Sequence, residues 1–150
     1  MHPDPQDIFI IGQGTGGTAI AAGVNPKTQN IRVVDIVAPV FNVMQQAALR
    51  SGEDVLHEPV REYYADPRYR RLVADARHLL LTEENRYDIV EAHAIYPTTA
   101  LAGQLYSTDF FRLALHRLKP GGYMVQWVPT IERSQAFCGY SHMSFASTSF

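Results

Sequence analysis

Gly12, Gly14 and Gly16 follow an apolar run, Ile8 to Ile11, in the segment Ile10-Ile11-Gly12-Gln13-Gly14-Thr15-Gly16-Gly17-Thr18. Asp35 closes the next apolar run, which begins at Ile31. A strand, a glycine turn, a helix and a second strand ending in a carboxylate bring backbone up against a nucleotide or nucleoside. The carboxylate then offers acceptors to ribose hydroxyls. A side chain at the turn would block that approach, and the turn needs backbone angles that glycine reaches at little cost. The same pattern also fits a strand-to-helix turn that binds nothing. Asp35, at the distance a ribose carboxylate requires, makes the nucleoside site the better reading. Asp75 and His93 stand at the ends of two later apolar runs and are further candidates.

These residues need a scaffold, and the hydrophobic pattern supplies one. Ile8 to Ile11 reads as a strand buried on both faces. Small residues over Thr15 to Ala22 suit a helix packed close to a sheet, ended by Gly23 and Asn25-Pro26. Ile31 to Asp35 reads as the second strand. Pro39 to Arg50 reads as a helix with Phe41, Met44 and Ala48 on one face and Gly52 beyond it. Residues 52–68 read as loop, broken by Pro59 and Asp66-Pro67.

Arg71 to Ala74 then reads as a strand, Ala76 to Leu81 as a short helix and Asp88 to Ala92 as a fourth strand. Residues 93–106 read as a loop around Pro97 and Gly103. Ser107 caps a helix running to Leu118, stopped by Lys119-Pro120-Gly121-Gly122, and Tyr123 to Val128 reads as the fifth strand. The alternation predicts a doubly wound, mainly parallel α/β sheet with right-handed crossovers. In such sheets ligands bind outside the carboxyl ends of the strands. The glycine turn, Asp35, Asp75 and His93 all fall at those ends.

The expected nucleoside-binding domain covers residues 1–130. Residues 131–150 are expected to be irregular, with a partial helix near Glu132 to Phe137. The C-terminal strands are expected to be truncated, leaving one sheet edge unpaired. Exposed aromatics in that segment would make a surface for a homo-oligomer.

A formal charge of −2 gives no basic footprint for nucleic acid. Arg68, Arg70 and Arg71 beside Tyr63, Tyr64 and Tyr69 read as a solvated loop face with partly buried tyrosines rather than an RNA-stacking surface. No apolar run approaches a membrane span, and Met1 to Asp7 lacks the basic-then-apolar layout of a secretion signal. One cysteine, Cys138, excludes an internal disulfide and suits a cytoplasmic setting. The six histidines show no metal-ligand spacing, so no metal is expected.

Four segments, in order, resemble the spermidine synthase-like (polyamine aminopropyltransferase-like) group of the class I S-adenosylmethionine-dependent methyltransferase fold. They are Ile11 to Thr18, Val34-Asp35-Ile36-Val37-Ala38-Pro39, and Asp66-Pro67-Arg68 with Val73-Ala74-Asp75-Ala76-Arg77. The fourth is Tyr87 to Ala92 with Leu105-Tyr106-Ser107 and Leu118 to Gly122. The resemblance covers roughly residues 8–130. It implies a Rossmann-like fold and a group donor, S-adenosylmethionine or its decarboxylated form. Gly12, Gly14, Thr15 and Gly16 would lie along the nucleoside and its sulfonium arm. Asp35 would take the ribose hydroxyls, and Asp75 and the Ala76 backbone would take the adenine. The acceptor would be a small-molecule amine or another nucleophile, in polyamine biosynthesis.

The chain departs from the family where chemistry occurs. Aminopropyl-transferring members carry an Asp in the glycine turn, where Thr15 stands here. They carry two Asp residues after the fourth strand, where His93 and Tyr96 stand. Those carboxylates hold cationic amines and help to deprotonate the attacking one. A neutral His93 can act as base at neutral pH, whereas Tyr96 can donate a hydrogen bond but is a poor base there. Glu91, two residues before His93, could supply the missing charge or be a strand residue with a partner. His93 itself has a structural reading as well as a catalytic one. Three functions follow from these residues. The first is a transferase passing an aminopropyl or methyl group to a nucleophile. The second is a non-catalytic nucleoside-binding remnant. The third is an NAD-dependent oxidoreductase, against which Asp75 and the Lys-Pro-Gly-Gly turn stand.

Overall fold

The computed structural model describes residues 4–49, 57–93, 102–129 and 140–146. The chain runs β1 (Asp7–Ile11), α1 (Gly17–Gly23), β2 (Asn30–Asp35), α2 (Ala38–Leu49), α3 (His57–Ala65), β3 (Tyr69–Val73), α4 (Ala76–Thr82), β4 (Tyr87–Ala92), a 3-10 turn (Ala102–Tyr106), α5 (Thr108–His116), β5 (Leu118–Pro129) and β6 (Tyr140–Ala146). The strands form one sheet in the order β3-β2-β1-β4-β5-β6. The first five are parallel, and β6 pairs antiparallel with β5. The order reverses between β1 and β4, the place where a doubly wound sheet opens a crevice.

Alternation along the central strands divides the core between the two faces. Phe9, Ile11, Val34, Val90 and Ala92 pack with Leu80 of α4 and Phe110 and Ala114 of α5. Ile8, Ile10, Ile31 and Val33 pack with Ala19 of α1, Phe41 of α2 and Tyr63 of α3. Burial on both faces is why β1 reads as an unbroken apolar run, Ile8 to Ile11, rather than an alternating one.

The structure corrects expectations at α3, at the start of β5 and at the edge beyond it. Residues 57–65, expected as loop, form α3. Pro59 is accommodated because it sits in the first helical turn, where backbone N–H groups have no intrahelical acceptor. The tyrosines expected to be partly buried go deeper: Tyr63 and Tyr69 are buried in the core and Tyr64 is half-buried. The Arg71 guanidinium lies over the Tyr63 and Tyr64 rings, 5.1 and 4.8 Å from their centroids.

Strand pairing of β5 begins at Leu118, not Tyr123. The register jumps from Tyr87 opposite Leu118 to Ile89 opposite Tyr123, so Lys119-Pro120-Gly121-Gly122 bulges out of the ladder. A Cβ at Gly122 would lie 3.0 Å from the Asp88 carbonyl oxygen, so only glycine fits the bulge unstrained. The edge beyond β5 is not open, nor are residues 140–146 irregular. β6 covers that edge, from Tyr123 opposite Ala146 to Pro129 opposite Tyr140. The helix expected near Glu132 to Phe137 lies outside the described residues, as does Tyr96.

The amino-terminal edge of the sheet is tied by charge. One Asp88 carboxylate oxygen accepts the backbone N–H groups of Gln6 and Asp7, each at 2.8 Å, and the Lys119 ammonium at 2.9 Å. Lys119 also pairs with Asp7. Burial pushes the Asp88 carboxyl up. The Asp7 N–H, Lys119 and the Gln6 N–H outweigh it and hold the group below the ordinary carboxylate range.

Candidate functional site at the carboxyl ends of the strands

The glycine turn is fastened at both sides of β1. The Gly12 N–H donates to the Val34 carbonyl at 2.8 Å, and the His93 N–H donates to the Ile11 carbonyl at 2.9 Å. Gly12, Gly14 and Gly16 take φ values of 96°, 47° and 79°. At Gly12 a Cβ would stand 3.0 Å from the His93 carbonyl oxygen. The close approach of β1 and β4 at the crevice therefore depends on glycine. At Gly14 a Cβ would meet nothing within 4 Å, so the turn opens onto space there. Thr15 is exposed beside it.

Asp35 ends β2 with its side chain turned back to the glycine turn. One carboxylate oxygen accepts the Gln13 N–H and the other the Val37 N–H, both at 2.8 Å. Each oxygen keeps acceptor capacity, so the group can order the turn and still receive hydroxyl donors. Asp75 caps α4: one oxygen accepts the N–H groups of Arg77 at 2.8 Å and His78 at 3.1 Å. Ala76, the first residue of α4, is buried. Between the two carboxylates, Ile36 is 66% and Val73 57% exposed, an apolar surface at the ends of β2 and β3. Asp35 and Asp75 are linked through the backbone, because the Ala74 N–H donates to the Asp35 carbonyl at 3.1 Å.

Gln13, which the sequence reading passed over as an interior position of the glycine pattern, is buried. Its side-chain oxygen accepts from the Tyr63 hydroxyl of α3 at 2.7 Å. Burial, opposed by Arg71, pushes the Tyr63 phenol up to about 12, so it stays a donor at neutral pH. The Gln13 Nε2 is buried with no hydrogen-bond partner. One residue therefore joins three elements: its N–H to Asp35, its amide to α3, and its carbonyl to the Gly16 N–H at 2.8 Å.

The ends of β4 and β5 make the other wall. His93 is exposed, and its ring centroid lies 6.1 Å from that of Trp127, the rings inclined by 32°. The Tyr106 hydroxyl donates to the Trp127 carbonyl at 3.2 Å, and burial raises that phenol above its ordinary value. Gln126, buried on β5, donates to the carbonyls of Ala92 at 3.3 Å and Trp127 at 3.1 Å. The structure thus brings Gly12, Gly14, Gly16, Asp35, Asp75 and His93 to one edge. It adds Gln13, Tyr63, Tyr106, Gln126 and Trp127, none of which carried a spacing signal.

The family described as the spermine/spermidine synthase domain matches residues 1–139. The chain belongs to this family. A polyamine aminopropyltransferase of Aeropyrum pernix is 28% identical over 83% of the chain and 38% of its own length. One from Streptococcus pneumoniae serotype 4 is 26% identical over 95% of the chain and 47% of its own length. A solved spermidine synthase in complex with the transition state analogue AdoDATO superposes with a TM-score of 0.72 at 20% identity, over 85% of this chain and 41% of that one. The spermidine synthase of Thermotoga maritima gives 0.67 at 17% identity, over 86% and 39%. The family's fold is therefore present, and the chain spans less than half the length of these relatives. Among the described residues no helix is long and apolar enough to cross a membrane, and no cluster of three or more His, Cys, Asp or Glu is arranged to hold a metal.

Proposed function

We propose that the chain carries the donor site and part of the acceptor site of a spermidine synthase-like transferase. Its group donor is decarboxylated S-adenosylmethionine or S-adenosylmethionine. The observation that carries this reading is the convergence of the glycine turn, Asp35, Asp75 and His93 on the crevice where the strand order reverses. Gly12, Gly14, Thr15 and Gly16 line the path of the sulfonium arm. Asp35 receives the ribose hydroxyls. Asp75 receives the adenine amino group beside the Ala76 backbone, with Ile36 and Val73 against the purine. Asp35 and His93 end strands two places apart, roughly 10 Å at the usual strand spacing. That separation suits a nucleoside with its ribose at β2 and its 5′ arm toward β4.

In the transfer, a neutral amine nitrogen attacks the carbon bound to sulfur. The new C–N bond forms as the C–S bond breaks, and the electron pair leaves on sulfur as a thioether nucleoside. The sulfonium is already electrophilic, so the protein's share is to align the amine and take its proton. We assign proton uptake to the exposed His93 imidazole, with Tyr96 as a hydrogen-bond donor nearby in sequence. A cytoplasmic setting goes with this reading. The test is release of methylthioadenosine when the chain is mixed with decarboxylated S-adenosylmethionine and an amine. Release that falls at least about tenfold in His93→Ala supports the reading, since general-base catalysis is worth that much or more. Nucleoside binding with no release from any amine would leave a non-catalytic nucleoside-binding domain.

A further inference from the structure

The wall of the crevice formed by the ends of β4 and β5 carries the rings of His93 and Trp127. His93 follows β4 and Trp127 lies near the end of the adjacent β5, with Ala92 opposite Gln126 in the register, so the two rings lie side by side, 6.1 Å between centroids. Tyr106 and Gln126 both donate to the Trp127 carbonyl oxygen and so hold its backbone. The sequence from Ala92 through Thr108, which follows β4, contains no Asp or Glu, and neither does Gln126 to Ile131. Glu91, two residues before His93, lies within the sheet between Ile10 and Val125 and is half-buried. Asp35 and Asp75 belong to the opposite wall.

An amine acceptor must lose a proton at its reacting nitrogen. An aliphatic diamine also brings a second ammonium, which stays charged at neutral pH. Drawing that charge against a wall whose segments, Ala92 to Thr108 and Gln126 to Ile131, carry no carboxylate costs more than cation–π attraction to one indole returns. An amine whose other end is an aromatic or apolar body faces no such cost, and it buries that body against Trp127.

We propose, resting on the transferase reading above, that Trp127 is the specificity-determining residue of the acceptor subsite. It selects amines with an aromatic or apolar body over aliphatic polyamines.

Trp127 is the chain's single tryptophan, so its emission reads this subsite directly. The full chain is first titrated calorimetrically with methylthioadenosine. 2-Phenylethylamine and putrescine are then titrated separately, with and without the nucleoside. 2-Phenylethylamine is expected to bind about tenfold or more tighter than putrescine and to shift the Trp127 emission, given the worth of a buried aromatic contact. Trp127→Leu should abolish that preference and Trp127→Phe should keep most of it, both measured by calorimetry on chains shown to be folded. Tighter putrescine binding that is lost in Glu91→Gln would overturn the proposal in favour of a carboxylate-held polyamine. An unchanged preference in folded Trp127→Leu would overturn it too. Failure of methylthioadenosine to bind counts against the transferase reading alone, because the amine titrations without nucleoside still report on Trp127.

Discussion

The ends of β1, β2 and β3 form one wall of the crevice and the ends of β4 and β5 the other, and the two are made differently. On the first wall, carboxylates are locked by backbone N–H groups: Asp35 by Gln13 and Val37, Asp75 by Arg77 and His78. Their positions follow from the strand and helix termini themselves. On the second wall, rings and an amide come from β4, β5 and the turn at 102–106, held by side-chain contacts across the sheet. Backbone-locked acceptors suit a ligand of fixed shape, such as a nucleoside. A wall of side chains leaves room for the acceptor to change with a single substitution.

The amino-terminal edge of the sheet, remote from both walls, gives the largest expected effect and the control. Asp88→Ala strands two backbone N–H groups and leaves the Lys119 ammonium with Asp7 alone. It should cost ~3 kcal/mol of stability in denaturant unfolding. The folded fraction should bind methylthioadenosine as the wild type does. Because the folded Asp88 carboxyl titrates below its unfolded value, its contribution is present above the unfolded value and is lost as pH falls through the folded one. Stability should therefore drop below about pH 4, and Asp88→Asn should flatten that acid limb.

Gly12 lies on the seam between the walls, so its substitution should disturb both. Gly12→Ala sets a Cβ 3.0 Å from the His93 carbonyl at positive φ and should cost about 2–3 kcal/mol of stability. A fully folded Gly12→Ala chain with unchanged melting would show that β1 and β4 need not approach closely.

Asp35→Ala acts on the first wall alone. It should weaken methylthioadenosine binding by about 2 kcal/mol, read by calorimetry, while leaving the emission response of Trp127 to amines in place. Loss of both responses together would show that the walls are not separable. The smallest effect is expected at the prop behind the first wall. Tyr63→Phe removes the donor to Gln13 and should cost about 1 kcal/mol in unfolding. Its effect on nucleoside affinity should exceed that on amine affinity.

The same division governs what the sequence reveals. The central strands are legible because their apolar residues are buried against helices on both faces, which leaves an unbroken run at Ile8 to Ile11 and one broken only by Arg32 at Ile31 to Val34. The first wall is legible because its parts lie at fixed distances along the chain from a strand end or a helix start. α3 is hidden because Pro59 and Asp66-Pro67 read as breakers, although proline is harmless in a first turn. The start of β5 is hidden because its bulge is made of Pro and Gly. β6 is hidden because the polar pair Ser141-His142 breaks its period of two and leaves only a short alternation from His142 to Phe145. The second wall is illegible for another reason. His93 and Trp127 are 34 residues apart, as Gln13 and Tyr63 are 50 apart, and only the sheet order joins them.

The decisive measurement is calorimetric titration of the folded chain with decarboxylated S-adenosylmethionine, in parallel with folded Asp35→Ala. Saturable one-to-one binding by the wild type, weakened at least about tenfold in Asp35→Ala, is the expected result for a nucleoside pocket at the strand-order reversal. No binding by the folded wild-type chain, or equal binding by both proteins, would contradict it.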